Sequence, residues 1–367
     1  MDSTANDEAA AWCALLRAPG VGSQTLNPLL LGGTTARQLI EAPPPDLPAA
    51  LRDYLRKPDY AGVENDMRWL DQPRNHLLTL ADPAYPALLR ELPNPPTALF
   101  LHGDPDVLGL PQLAIVGSRT PSSGGRRNAH AFAAHLAGTG LVIGSGLATG
   151  IDAAAHEGAL AVEGLTLAVT GTGLDRVYPA QNRALAHDIA MNGLLVSEFP
   201  TGTPPLPANF PRRNRILAGL ALGTLVVEAA LKSGSLITAR LAAEAGREVF
   251  AIPGTIHNPL ARGCHALIRD GAKLVETGDH ILEELAPLLR RAGFSPRDTA
   301  PPAAGAAAST MDPQHQSLLD ALGFDPATTD QLVARTGFPA AEVSSMLLLL
   351  EMQGHVSSEP GGLFTRV

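Results

Sequence analysis

Aromatic residues are scarce, only 4% of the chain, which weakens any reading that needs a broad base-stacking platform. Cysteine is scarcer still. Cys13 and Cys264 alone cannot build a disulfide framework or a four-cysteine zinc site. No apolar run approaches the ~18–20 residues of a membrane helix. The opening segment, Met1 to Glu8, is acidic and lacks the basic start of a secretory signal. The expectation is a soluble cytoplasmic protein without membrane insertion. What is present points to globular order: 45% apolar residues, 17% charged, 36 Gly and 32 Pro in 367 residues. That length accommodates two or three domains of ~100–200 residues each.

Positive charge is also in deficit, with 27 Lys/Arg against 36 Asp/Glu and a net charge of −9. The distribution matters more than the total. Leu110 to His280 holds 14 Lys/Arg and 12 Asp/Glu, a net of +2, whereas the rest of the chain carries −11. An anionic ligand therefore belongs to the middle of the chain.

Residues 1–72 read as a small helical domain of helix-hairpin-helix or SAM-like type, with Ala18-Pro19-Gly20-Val21-Gly22 as its turn. A Pro-rich lead-in from Leu80 ends near Leu99–Gly103. Short apolar runs then alternate with helical windows. The predicted strands are Leu113–Val116, Leu141–Ile143, Leu165–Val169, Leu194–Val196, Thr224–Val227, Glu248–Ile252 and Lys273–Val275. Strands of near-continuous apolar character separated by helices imply a doubly wound, mostly parallel α/β sheet over 73–291. The Pro/Ala-rich stretch 292–310 reads as a flexible linker. Beyond it, 311–367 offers three helical windows and a hairpin around Gly361-Gly362, the order of a winged helix-turn-helix.

In an open parallel sheet, ligands bind beyond the carboxyl ends of the strands. The turns there are Gly117-Ser118-Arg119, Gly144-Ser145-Gly146-Leu147, Thr170-Gly171 and Lys232-Ser233-Gly234-Ser235. Glycine permits close backbone approach, and helix N-terminal amides favour anions. With Arg119 and Lys232 among them, these turns predict a phosphate-binding site. A second anionic-ligand element is Asn209-Phe210-Pro211-Arg212-Arg213-Asn214-Arg215. Its arginines suit phosphate and Phe210 suits a base face. Three arginines so spaced on a helix cannot all face one groove, so one or two are expected to be structural.

Other chemistries fare worse. Thr149 stands where the third glycine of a dinucleotide fingerprint is required, and no P-loop motif is present. Asp152 and His156 have metal-ligand spacing on a helix, but a cap and a hydrogen-bonded core histidine explain them better. Glu198 and Glu228 end strands and are expected to pair with the arginines. Cys264 and His265 are adjacent and seldom face one another on a helix. No cofactor, metal or catalytic residue is expected.

The runs Ala114–Arg119, Gly144–His156, Gly171–Pro179, Phe210–Ile216, Ser233–Ala239 and Ala251–Gly254 together resemble the DNA-processing protein A (DprA/Smf) family. The resemblance implies an extended Rossmann-like core and a non-enzymatic recombination mediator. Such a protein binds and protects incoming single-stranded DNA, loads the RecA recombinase during natural transformation, and forms a homodimer. It implies a DNA pocket on Arg119 and Lys232, lined by Gly144–Leu147 and Phe210–Arg215. Two positions depart from the pattern: Ala221 where serine is frequent, and His265 where asparagine is. The competing reading is a nucleotide-processing phosphoribohydrolase on a related sheet, but its P-G-G-x-G-T-x-x-E signature is missing. A sequence-specific transcription factor is disfavoured because Ala340–Gln353 contains no Lys or Arg.

Overall fold

The computed structural model describes residues 3–297, 312–323, 326–359 and 361–366. The chain forms two compact units, one of residues 1–120 and 129–297, the other of 121–128 with 298–367.

The first unit is built on a nine-stranded sheet. Its strands are β1 (Asn75–Thr79), β2 (Ala98–Gly103), β3 (Gln112–Val116), β4 (Val142–Ser145), β5 (Thr166–Val169), β6 (Leu194–Ser197), β7 (Gly223–Val226), β8 (Glu248–Ala251) and β9 (Lys273–Leu274). They lie in the order β1-β2-β6-β5-β4-β3-β7-β8-β9. From β6 to β9 every pairing is parallel. All seven strands expected from the apolar runs are present. Two more strands bracket the Pro-rich lead-in, β1 before it and β2 at its end; they pair with each other, and β2 pairs with β6, in antiparallel fashion.

Successive strand residues point to opposite faces, and each face has its own core. Ala114, Val116, Leu167, Val196 and Val226 pack with Ile216, Leu217 and Ala239 from helices Asn209–Leu220 and Gly234–Glu244. Leu113, Ile115, Ile143, Leu225 and Phe250 pack on the other side. Their partners come from helices Ser123–Gly138, Ile151–Ala161 and Gly278–Arg291. Helices on both faces make the sheet doubly wound.

The first 70 residues form five helices, from Ser3–Leu16 to Tyr60–Leu70. Cys13, Ala14 and Trp69 share a buried cluster with Phe100 of β2. A buried polar joint adds to this. Arg17 donates from Nε and Nη2 to the two oxygens of Asp66 at 2.6 and 2.8 Å. Asp66 also accepts from the backbone N–H and the hydroxyl of Thr201, at 2.9 and 2.6 Å. Thr201 follows β6, so the helical region is pinned to the loop that leads to helix Asn209–Leu220.

At its other end this unit runs on to Arg297. Phe294 lies over Gly140, and the Arg297 N–H donates to the Thr139 carbonyl at 3.0 Å. Residues 292–297 are thus packed. The rest of the expected linker lies outside the described residues. In the second unit, helices Pro313–Leu322, Thr329–Thr336 and Ala340–Met352 enclose Leu318, Leu332, Val343 and Leu347. A three-stranded antiparallel sheet of 327–328, 363–366 and 356–359 completes a winged helix.

Candidate nucleic-acid interface

The chain winds from β3 outward through β4, β5 and β6, then crosses back to place β7 against the other side of β3. Connections from β3 and β7 therefore leave in opposite directions, and a crevice opens at their carboxyl ends. A cleft of about 700 Å³ occupies this point. The turn after β3 supplies Gly117, Ser118 and Arg119, and the segment after β7 supplies Lys232, Ser233, Gly234 and Ser235.

Local chemistry holds these turns in place. A Cβ on Gly117 would sit 2.6 Å from the Ile151 side chain, so only glycine lets the turn pack on that helix. Gly150 has φ of 82°, and a Cβ there would lie 2.4 Å from the Ser118 carbonyl. Ser233 caps helix Gly234–Glu244 by accepting from the Ser235 N–H. Ser235 donates its hydroxyl to the Gly117 carbonyl at 2.7 Å and so ties the two turns together. Ser118 accepts from the Thr120 N–H.

Two cations stand free at this cleft. Arg119 and Lys232 are exposed and make no hydrogen bond or ion pair from their side-chain nitrogens among the described residues. Arg119 instead holds its guanidinium 5.7 Å from the Phe210 ring centre.

Helix Asn209–Leu220 divides its residues between two sides. Phe210, Arg213, Asn214 and Leu217 line the cleft, the i, i+3/i+4, i+7 stripe of one helix face. Arg212 and Arg215 lie on the other side with Glu198, whose side chain is 8% exposed. Arg215 pairs with Glu198 through Nη2 and donates Nη1 to the Asn94 carbonyl at 2.8 Å. Arg212 lies 3.9 Å from Glu198 and 5.3 Å from the Phe199 ring centre. Burial pushes the Glu198 carboxyl up, opposed by both arginines.

Arg213 is 5% exposed and donates Nη1 to the Val169 carbonyl at 2.6 Å. Burial draws its guanidinium down, opposed by the charge of Asp152. A Cβ on Gly146 would lie 2.1 Å from Arg213 and 2.6 Å from Asp152, so Gly146 makes room for both. Several expected residues are scaffold rather than lining. Ser145 donates to the Ile115 carbonyl and Asn209 to the Gly171 carbonyl. Gly144 is buried in β4 beneath Leu217, and Gly171 lies against Phe210. Leu147 is buried with φ of 61°, and its carbonyl accepts from Asn182 at 2.9 Å.

One residue beside the cleft escaped the sequence reading as a site residue. Tyr178 lines it and packs against Phe210, ring centres 5.7 Å apart. It had been visible only as part of the run Gly171–Pro179.

The other chemical candidates have partners within the fold. Asp152 accepts from the Ala148 N–H at 3.3 Å. Cys264 is buried and its thiol is pushed up to about 11. His265 Nε2 lies 2.9 Å from the Gly254 carbonyl. Among the described residues no three His, Cys, Asp or Glu side chains cluster to hold a metal ion.

His156 is fully buried, with Nδ1 2.6 Å from Thr166 Oγ1. That hydroxyl donates to the Ile143 carbonyl, so it accepts from Nδ1–H. Burial, reinforced by Arg213, holds this imidazole down at about 3. Between the unfolded value near ~6.5 and about 3, only the unfolded chain binds this proton. The contribution is complete above the unfolded pKa and is lost as pH falls. Urea unfolding should therefore show stability dropping below pH ~6, by up to ~1.4 kcal/mol per pH unit from this group. His156→Gln should flatten that slope; an unchanged slope would contradict the assignment.

Comparison with known proteins gives a consistent result. Residues 76–286 match the family model described as DNA recombination-mediator protein A, and residues 299–362 match the DprA winged helix domain. Protein Smf of Escherichia coli K12 is 44% identical over 308 residues, 82% of this chain and 80% of its own length. Protein Smf of Synechocystis is 37% identical over 99% of this chain and all of its own. The X-ray structure of DNA processing protein A from Streptococcus pneumoniae superposes with a TM-score of 0.67 at 39% identity. It covers 75% of this chain and 97% of that one. DNA processing protein A from Helicobacter pylori, solved for its single-stranded DNA binding mode, gives 0.53 at 31% identity, over 58% and 96%.

Proposed function

This chain belongs to the DNA recombination-mediator protein A family, and from that premise we propose that it binds single-stranded DNA in the cleft between β3 and β7. The observation that carries the reading is the pair of unengaged cations, Arg119 and Lys232, at the switch point of the sheet. A single strand needs a basic groove for its backbone and faces on which bases stack. The cleft combines both, since Phe210 and Tyr178 stand beside Arg119. The single-stranded DNA bound by the Helicobacter pylori relative supports the same ligand here.

The finer role we assign is recombination mediation: protection of incoming single strands and loading of RecA in the cytoplasm during natural transformation, by a homodimer. We also assign it binding without turnover. The groups nearest to catalytic chemistry are already engaged: Glu198 by Arg215, and the Ser235 hydroxyl by the Gly117 carbonyl. Among the described residues no helix is long and apolar enough to cross a membrane.

The test is titration of labelled single- and double-stranded oligonucleotides across a salt series. Single-strand affinity should be the greater at every salt. It should fall linearly with log salt, with a slope of about −0.7 per phosphate contact. Equal affinity for both forms, or no salt dependence, would contradict the proposal.

A further inference from the structure

Arg119 stands on a turn outside any helix or strand, and the loop after β4 holds that turn. The Ser118 carbonyl accepts from the Ile151 N–H at 3.1 Å, and the Arg119 carbonyl accepts from the Thr149 hydroxyl at 3.2 Å. Gly150 lies so close that a Cβ there would sit 2.7 Å from the Arg119 carbonyl oxygen. The β4 loop is itself sharply bent. Leu147 has φ of 61°, a left-handed conformation that is unfavourable for leucine and persists only where its surroundings enforce it. Two successive carbonyls at this bend, of Leu147 and Ala148, accept from one group, the Asn182 amide, at 2.9 and 3.2 Å. Asn182 comes from the segment after β5, is half-buried at the start of helix Arg183–Asn192, and lies outside the lining of the cleft.

We propose that Asn182 is a positioning residue for single-strand binding: its amide locks the bend of the β4 loop, and that loop fixes the turn from which Arg119 reaches phosphate. The proposal rests on the single-strand reading above and adds the residue that sets the geometry of one of its two cations. An arginine fork is directional, so its contact with phosphate depends on where the backbone aims it. Without the amide, two carbonyls lose their shared donor and Leu147 loses the partner that holds it at positive φ. The loop then relaxes, and Thr149 and Gly150 leave the Arg119 carbonyl. Lys232 keeps its place, because its turn is capped separately by Ser233 at the start of helix Gly234–Glu244. The loss therefore falls on the Arg119 contact alone.

The experiment is a pair of double-mutant cycles on the full-length protein, read by fluorescence anisotropy with labelled oligo-dT at three or more salt concentrations. Asn182→Ala should weaken binding about fivefold and flatten the salt slope by up to ~0.7, the signature of one lost contact. Residues that act through one contact are non-additive, whereas independent ones add. Asn182→Ala should therefore cost less than about twofold in an Arg119→Ala background and its full fivefold in a Lys232→Ala background. Asn182→Asp has nearly the same shape but, once ionised, no donor, and it should bind at least as weakly as Asn182→Ala; a side chain that merely fills space would tolerate it. Urea midpoints report whether the variants fold. Should the Asn182 variants unfold, Thr149→Val removes the hydroxyl that reaches Arg119 and must show the same selective coupling. Unchanged affinity in folded Asn182→Ala, or equal losses in the two backgrounds, would overturn the positioning role while leaving the phosphate cleft standing. Failure of wild type to bind oligo-dT, or no loss on Arg119→Ala, would overturn both.

Discussion

Replacing Arg119 and Lys232 together by alanine is expected to lower single-strand affinity about a hundredfold, with each single change lowering it about tenfold, ~1.4 kcal/mol. The two cations come from different strand ends, β3 and β7, and neither pairs with a carboxylate among the described residues. Neither therefore supports the fold, and losing one leaves no buried charge behind. Their effects should add, because they share no partner. The salt slope should flatten by ~0.7 for each contact removed from a single strand. Anisotropy titrations at three or more salt concentrations measure both quantities. A melting curve like that of the parent shows that the cleft is still assembled. Unchanged affinity in a folded double variant would remove the cleft from the binding site.

The largest effect on stability is expected from Asp66→Ala. Asp66 is fully buried and accepts four hydrogen bonds, two from Arg17 and two from Thr201. Its removal leaves the 12%-exposed Arg17 side chain without its main carboxylate and strips the Thr201 N–H of its acceptor. Breaking a buried pair by deleting one partner costs about 3–5 kcal/mol. The damage should extend to binding. Thr201 belongs to a segment that also meets the turn before Tyr178, where the Gly202 N–H donates to Asp175 at 2.9 Å. Urea unfolding gives the stability change. Arg17→Met combined with Asp66→Leu should recover most of it, because an apolar pair of similar volume avoids desolvating either charge. A loss below ~1 kcal/mol for the single change would mean that the joint is not buried in solution.

Much of the architecture is written locally. Most of the parallel strands are short apolar runs, and β3, β4, β5 and β7 lead through Gly- or Ser-containing turns toward helices, an alternation with one common solution. The turns that reach the cleft were equally legible, because glycine at a strand end before a helix has a backbone reason to be there. The winged helix was readable from three helical windows and a Gly-Gly hairpin.

β1 and β2 were not legible as strands. Proline punctuation masked Leu77-Leu78 and Ala98–Leu101, and antiparallel pairing with β6 is a contact between segments far apart in sequence. The arginine cluster makes the sharper case. Spacing alone showed that Arg212, Arg213 and Arg215 cannot share one face, since successive helix residues turn by ~100°. Which face met the cleft was set by packing. Leu217 and Phe210 turn one side inward, and this places Arg213 there under Gly146 and hands Arg212 and Arg215 to Glu198. Tyr178 gained its place only through the meeting of two loops, after β5 and after β6, that no local pattern connects. The parallel sheet and the Gly/Ser turns at its strand ends were legible in the chain, because they follow from periodicity and backbone freedom. Tertiary structure alone decided which charges stay free and which ring is exposed, because a side chain's availability depends on the partners that distant segments bring to it.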